Sequence, residues 1–308
     1  MSAAVIDDVL VEFAAEVGGS GPVAIEGSRT RWSIGGPLAE GTRLLKAPAG
    51  ILEHIPDEMT VRVRAGTTVA DLHAALAEAG QHSALPERGG TVGGALAVGE
   101  NDLRVMGRGW IRQSVLQVRY VSAEGRVVKG GGPTVKNVSG FDLPRLMVGS
   151  LGTLGLLAEV ILRTNPIPAS SIWISSSDAD PFRVSAVALR PSAVLWDGTT
   201  TWVSLEGHAA DVDDQHGALR GIGTWTTVDG PPDLPAHRWA LAPADLRSLA
   251  THPTGSYVAS IGIGTVFAEQ PQPTRVMAPA VADLNRRAKE QFDPTGRLNP
   301  GRSTLGHH

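Results

Sequence analysis

Two stretches of nearly bare backbone constrain this chain most. Residues 86–100 read PERGGTVGGALAVGE, and residues 149–160 read GSLGTLGLLAEV. Glycine enters left-handed backbone without steric cost but loses the most entropy on folding, so clusters of it mark turns or close approaches. A lone Gly-Gly pair is usually a structural turn. Successive small residues, however, can aim several backbone N–H groups at one anion, and a diphosphate is the usual reason for such a nest. Neither stretch is GxGxxG or GxxxxGK[ST], so a nicotinamide-type Rossmann domain and a P-loop lose their sharp sequence support.

Composition removes other classes. Lys plus Arg is 27 against 31 Asp plus Glu, a net charge of -4, which argues against a general nucleic-acid binder. An apolar content of 42% over 308 residues supplies a core for one large domain or two modest ones. Cysteine is absent. Disulfides, a thiolate nucleophile and an iron–sulfur cluster on this chain are thereby excluded, and any one-electron relay belongs to a partner. The start, MSAAVIDDVLVEFAAEV, carries acidic and no basic residues, unlike a secretory signal. The longest apolar run, near Leu151 to Leu162, is too short and too glycine-rich to span a bilayer. The expected location is the cytoplasm.

Along the chain, PVAIEGSRTRWSIGG (22–36) reads as a short strand and a tight polar loop, and MTVRVRAG (59–66) as a half-buried strand. In TVADLHAALAEAG, Val69, Leu72, Leu76 and Ala79 fall at helical spacing, with Thr68 and Asp71 at the start and Gly80 as the stop. VLQVRYVSAEGRVVKGG predicts a hairpin turning at Glu124-Gly125, and GLLAEVILRT a further strand. NPIPAS (165–170) reads as a domain exit. Residues 171–275 hold most of the tryptophans and predict a smaller α/β domain, with strands in VLWDGTTTWVSLEG and SYVASIGIGTVFA. A last helix is expected over 278–291. Strands paired by hairpins and mixed with helices predict an α+β fold.

The line PERGGTVGGALAVG … KNVSGFDLPRLMVGSLGTLGLLAEVILRT resembles the FAD-binding domain of the vanillyl-alcohol-oxidase/p-cresol-methylhydroxylase (PCMH) superfamily. Within it, GGPTVKNVSGFDLPRLMVGSLGTLG (131–155) and the ending FDPTGRLNPGR are similar to the FAD-binding subunits of bacterial glycolate oxidases. The resemblance implies a two-subdomain FAD-binding domain over 1–165, a small cap-like α/β domain over 171–275, and a C-terminal segment, 278–303, packing on the FAD domain. It implies one phosphate-facing loop of Pro86, Gly89, Gly90, Thr91, Val92, Gly93 and Gly94, and a second of Glu26, Gly27, Ser28, Arg29 and Thr30. Gly152, Thr153, Gly155 and the Glu159-Val160 strand would line the flavin and adenine side. Lys136, Asn137, Asp142 and Leu143 would support that wall, and Asn299 and Pro300 would return the terminus to the cofactor. For Lys136 and Asp142, a buried ion pair or loop anchor is an equal reading.

The chain departs from this pattern. Its first loop is EGSRT where relatives commonly carry three glycines. Ser28 and Arg29 cannot adopt a positive φ cheaply, and Glu26 places a negative charge near a pyrophosphate that Arg29 could offset by pairing with a phosphate oxygen. With no histidine in that loop and no cysteine, the residues of the family's covalent flavin links are missing, so non-covalent FAD is expected. Arg108, Gln113 and Gln117 replace the Tyr, Asp and Gly frequent in relatives. EGHAAD (206–211) superficially offers a metal-binding His208 and Asp211, but Gly207-His208 is more simply a turn and helix cap. Phe267 stands where a second half of that motif would need histidine. His73 and His82 read as solvated. His54, His237 and His252 read as loop residues, and metal-ligand spacing is absent. Arg104, Arg108 and Arg112 recur every four residues: a cationic substrate clamp if helical, or a solvated face.

Two functions follow. One is an FAD-dependent subunit that oxidises a 2-hydroxy acid, of glycolate or D-lactate type, in a complex with a sister flavin subunit and an iron–sulfur subunit. The complex would lie in the cytoplasm or peripherally at the inner membrane through those partners. The other is a flavin-fold scaffold with weak or no FAD binding, which EGSRT favours. No catalytic base can be named. The NADPH-dependent cell-wall reductase that shares the fold is disfavoured, because its catalytic Ser and Glu motifs are not found.

Overall fold

The computed structural model describes residues 7–133, 142–252, 255–273 and 277–304. Two units divide the chain. The first comprises Met1–Asp102, Trp110–Pro166 and Arg275–His307, and the second Leu103–Gly109 and Ile167–Thr274. The passage at Pro166 falls inside NPIPAS, whereas the detour of Leu103–Gly109 into the second unit has no composition signal.

In the first unit, β1 (Val23–Ile25) and β2 (Arg43–Leu45) run parallel, and Leu298 adds a parallel bridge to Val23. A larger antiparallel sheet takes the order β3-β4-β8-β6-β7: β3 (Ile51–Ile55), β4 (Thr60–Arg64), β6 (Val115–Val121), β7 (Val127–Gly131) and β8 (Leu156–Pro166). β5 (Gln81–Ser83) pairs with the end of β8. β8 is buried from Leu156 to Leu162 because both its faces are covered, which explains its near-continuous apolar run. On one face, α2 (Val69–Ala77) and α3 (Val92–Val98) pack Leu72, Leu76 and Leu96 with Val63, Val160 and Leu162. On the other, α1 (Asp8–Val17) packs Leu10, Phe13 and Val17 with Val23, Leu45, Leu156 and Leu298. Local signals behave as expected: Asp7 caps α1, and Thr68 Oγ1 accepts from Asp71 N at the start of α2. The β6–β7 hairpin pairs Val121 with Val127, and Gly125 has φ +74°.

The second unit is a seven-stranded antiparallel sheet of order β12-β9-β11-β10-β14-β15-β13. Its strands are β9 (Ser170–Ser176), β10 (Ala193–Trp196), β11 (Thr201–Gly207), β12 (Thr226–Val228), β13 (His237–Ala240), β14 (Tyr257–Ser260) and β15 (Thr265–Ala268). The β10–β11 turn is built by Asp197, whose Oδ1 accepts from Thr199 N (2.8 Å) and Thr200 N (2.7 Å). The short α4 (Val105–Arg108) contacts β10, and a Cβ at Gly107 would collide with Ser192. After α5 (Ile111–Ser114) and α6 (Leu143–Met147) of the first unit, α7 (Pro181–Val187) and α8 (Ala209–Leu219) cover one face of this sheet with Val184, Val212 and Leu219.

The terminus then returns to the first unit through α9 (Pro279–Phe292). Past it, Arg297 is 4% exposed and donates to five carbonyls: Nε to Gly21, Nη1 to Gly18 and Ala123, and Nη2 to Val17 and Ser20. Asp293 positions it, accepting from Arg297 N (3.0 Å), Leu298 N (2.7 Å) and Lys289 Nζ (2.5 Å). Burial pushes the Asp293 pKa up, but these hydrogen bonds outweigh it and hold the carboxyl below its ordinary value. Among the described residues, no helix is long and apolar enough to cross a membrane.

Arg297→Ala strands several buried carbonyls and should cost about 3 kcal/mol or more, read from denaturant midpoints at unchanged slope. Because the folded pKa of Asp293 is depressed, its contribution is present above the unfolded value, near ~4, and is lost as pH falls through the folded one. Stability of the Asp293→Asn variant should therefore fall less steeply below about pH 4 than that of the parent chain.

Candidate functional site

A cleft of about 370 Å³ lies within the first unit, in the size range of cofactor pockets. Its first wall leaves β1 at Ile25 and turns through Glu26–Arg31. Arg29 takes φ +57°, the left-handed conformation that costs a non-glycine residue about 1 kcal/mol or more. Arg29 Nε donates to Glu26 Oε1, and the guanidinium lies 5.0 Å from the Trp32 ring, which Arg302 also approaches at 4.8 Å. Arg29 thus neutralises Glu26 within the loop itself.

The second wall starts after Gly89 and Gly90, with φ +68° and +90°. Thr91 caps α3, its Oγ1 accepting from Gly94 N (3.1 Å). Val92 N donates to Thr67 O (2.9 Å) and Gly93 N to Ala65 O (2.8 Å). The N–H groups of Val92, Gly93 and Gly94 are therefore satisfied internally, while among the described residues those of Gly89, Gly90 and Thr91 enter no hydrogen bond. Close approach accounts for Gly93 here and for Gly27 in the first wall: a Cβ at Gly93 would lie 2.9 Å from Ala65 Cβ, and one at Gly27 would lie 2.7 Å from Thr91 Oγ1. The 149–155 loop behaves alike. Gly149 N donates to Leu96 O, Leu151 N to Ala97 O, and Gly152 N to Ser150 Oγ. Gly152 has φ +68°, and a methyl group there would overlap the Asn299 amide.

A longer run of unpaired N–H groups is in the first loop. Among the described residues, those of Gly27, Ser28, Arg29, Thr30 and Arg31 enter no hydrogen bond. A left-handed residue among successive unpaired N–H groups makes an anion nest. Beside it sits Arg31, whose side chain is 8% exposed. It is ion-paired with buried Glu100, and its Nη1 donates to Gly89 O at 2.8 Å, while Nη2 is buried without a partner. Arg88 also pairs with Glu100, at 2.9 Å. Arg29, Arg31, Lys46 and Arg302 line the cleft against one carboxylate, Glu26, and Ala47, Val98, Leu156 and Leu157 make it apolar. Cations and unpaired N–H groups beside an apolar slot fit a dinucleotide with a flat ring system and a diphosphate.

Of the residues expected to touch a cofactor, Glu26, Gly27, Ser28, Arg29, Thr30, Thr91, Gly93, Gly94, Gly152 and Asn299 line the cleft. The others lie outside its lining. Val92 and Val160 belong to the core because their side chains face the sheet–helix layer. Glu159 is fully buried and pairs with Arg119 at 3.6 Å. Gly155 accommodates the Tyr120 ring. Thr153 turns to α9, its carbonyl accepting from Lys289 Nζ (2.8 Å). Asp142 caps α6 and pairs with Arg145. Pro86, Gly89 and Gly90 shape the turn that leads to Thr91. Lys136 and Asn137 lie outside the described residues.

The arginine row is not one helical face. Gly109 separates α4 from α5, so Arg104 and Arg108 reach Glu206 at 3.4 Å each, while Arg112 donates to Val148 O. His208 is the N-cap position of α8. His73 bonds Ser83 Oγ, and His54 lies in β3 against Gln81, a strand where a loop was expected. His237 is likewise on a strand, β13. Among the described residues no cluster of His, Cys, Asp or Glu could hold a metal. The sequence reading missed Arg31 and Glu100, whose only signal was a cation directly after the EGSRT loop and an acid closing the GGTVGG segment.

Residues 4–131 match the FAD binding domain family. Over 91% of its length the chain is 29% identical to glycolate oxidase subunit GlcE of Escherichia coli (strain K12), covering 92% of that protein. It is 36% identical over 47% of its length to D-lactate dehydrogenase of Archaeoglobus fulgidus, and 32% over 48% to glycolate oxidase subunit GlcD of Bacillus subtilis (strain 168). It spans about a third of each of these two, 33% and 32%. A solved alkyldihydroxyacetonephosphate synthase superposes over 94% of this chain and 73% of its own, with a TM-score of 0.68 at 15% identity, which shows a shared fold. The match and the superposition bear out the α+β flavin-binding fold and FAD as the cofactor class read from the motifs.

Gly152→Ala should push Asn299 out of the cleft. It should weaken FAD binding at least about tenfold, or ~1.4 kcal/mol, in a fluorescence-quenching titration.

Proposed function

We propose that this chain binds FAD non-covalently in the first unit's cleft and acts as a subunit of a glycolate-oxidase-like complex that oxidises a 2-hydroxy acid of glycolate or D-lactate type. The observation that carries the reading is the pairing of an anion nest and buried Arg31 with an apolar slot in one cleft. The likeness to GlcE over nearly the full length of both chains supports the complex.

In this reading Gly27–Arg31 N–H groups and the Arg31 guanidinium hold the diphosphate, with Glu100 fixing the guanidinium. Lys46 and Arg302 add positive charge at the cleft wall. Ala47, Leu156 and Leu157 exclude water from the slot, and Asn299 orients the cofactor through its amide. Bound FAD supplies the two-electron acceptor for hydride removal from the hydroxyl-bearing carbon. Neither histidine nor cysteine lines the cleft among the described residues, consistent with non-covalent binding. The one carboxylate there, Glu26, is tied to Arg29, so the base that takes the hydroxyl proton is assigned to the sister flavin subunit. An iron–sulfur subunit carries the electrons away, since this chain has no cysteine. The complex works in the cytoplasm or at the inner-membrane surface through those partners.

A scaffold reading keeps one specific support: Arg29 bears a strained φ and spends its charge on Glu26. Anaerobic mixing with glycolate or D-lactate separates the two readings. In complex with the sister subunit, the flavin carried by this chain should bleach within turnover. Flavin on this chain that stays oxidised while the sister flavin is reduced would leave the scaffold.

A further inference from the structure

The terminal helix presents a face that the first unit leaves open. Met277, Val281, Leu284, Ala288 and Phe292 recur at spacings that form one apolar stripe along α9 and its entry. The stripe is anchored at one end, where Phe292 packs against the core. Toward the other end it runs into solvent: Val281 is 47% and Leu284 61% exposed, and α9 has no buried residue among its fourteen. A helix of this length gains little stability in water until such a stripe is covered. Exposed apolar surface of this kind marks an interaction site.

Beside the stripe runs a groove of about 600 Å³, walled by α9 and by the segment containing Leu146, Val148 and Leu154. Its charged lining is one-sided: Arg112, Arg145, Arg286, Lys289 and Arg302 against Asp142 alone. Arg145, Arg286 and Lys289 are matched by acids of their own turns, Asp142, Asp283 and Asp293. Arg112 and Arg302 are not. Among the described residues they donate to main-chain carbonyls, of Val148 and of Trp32 and Ile34. The positive excess therefore rests on these two arginines, and a complementary surface carries carboxylates.

We propose that this groove, with the Val281–Leu284 shoulder, receives an acidic amphipathic segment of the sister flavin subunit. Apolar side chains of that segment cover the α9 stripe, and its carboxylates meet Arg112 and Arg302. The proposal rests on the complex reading given above and adds the surface through which the complex forms. Arg302 is shared with the cleft wall, whereas Val281, Leu284 and Arg112 lie outside the cleft lining.

Co-expression of the tagged chain with the sister flavin subunit tests it. The parent chain should retain the sister subunit through purification, and less of it as salt is raised. Leu284→Glu, Val281→Glu and Arg112→Glu should each weaken retention at least about tenfold, with FAD content and melting temperature as in the parent chain. Equal retention by the parent chain and all three variants overturns the surface and leaves the complex standing. A parent chain that retains no sister subunit, with both proteins folded and soluble, overturns the complex and the surface together.

Discussion

Arg297 holds the first unit together. One guanidinium collects carbonyls from the end of α1, from the turn that follows it, and from Ala123 beside the β6–β7 hairpin. Those groups lie at chain ends that the secondary structure leaves without donors, and leaving them buried and unpaired is costly. Asp293 fixes the loop from which Arg297 reaches, and Leu298 then bridges to Val23. The residues that follow, Asn299 and Arg302, arrive at the cleft because this clasp has closed. A segment 280 residues from the end of the N-terminal helix in sequence therefore supplies part of the wall on which a cofactor would rest.

Accounting for backbone donors changes what the glycines mean. In both rich clusters several N–H groups, those of Val92 to Gly94 and of Gly149 to Thr153, are given to protein acceptors, and the missing side chains let Gly27 meet Thr91, Gly93 meet Ala65, and Gly152 meet Asn299. The loop poorest in glycine, EGSRT, keeps the N–H groups of Gly27 to Thr30 unspent, in one run with that of Arg31. Arg29 accepts a left-handed conformation there, and its charge cancels that of Glu26. The longer run of free N–H groups thus lies in a strained polar turn, with a buried arginine behind it, and not in the glycine clusters.

Much of the fold was readable because it rests on local rules. The cap at Thr68, the hairpin turn at Gly125, the unbroken apolar run of β8 and the prolines after it are short-range signals. Cleft residues near those signals, such as Thr91 and Gly152, were legible too. Val160 packs in the core and not in the cleft lining, which its sequence context does not show, because a strand buried on both faces gives no sign of which side chains meet core and which meet a pocket. Arg31 was overlooked because its role depends on Glu100, 69 residues away, and a buried ion pair has no spacing rule. The Arg104–Arg108–Arg112 row failed as a clamp because Gly109, at φ +86°, ends the four-residue α4 before a second turn can form.

The central claim is that a strained turn and a buried arginine hold a dinucleotide without a covalent bond. The visible absorption spectrum of the purified chain, before and after acid denaturation, tests it most directly. Flavin bands that pass into the supernatant as FAD, at one per chain and leaving a colourless pellet, are the expected result. A chain that carries no flavin and takes up none, alone or with its sister subunit, would contradict the account, and bands that stay with the pellet would contradict the non-covalent link.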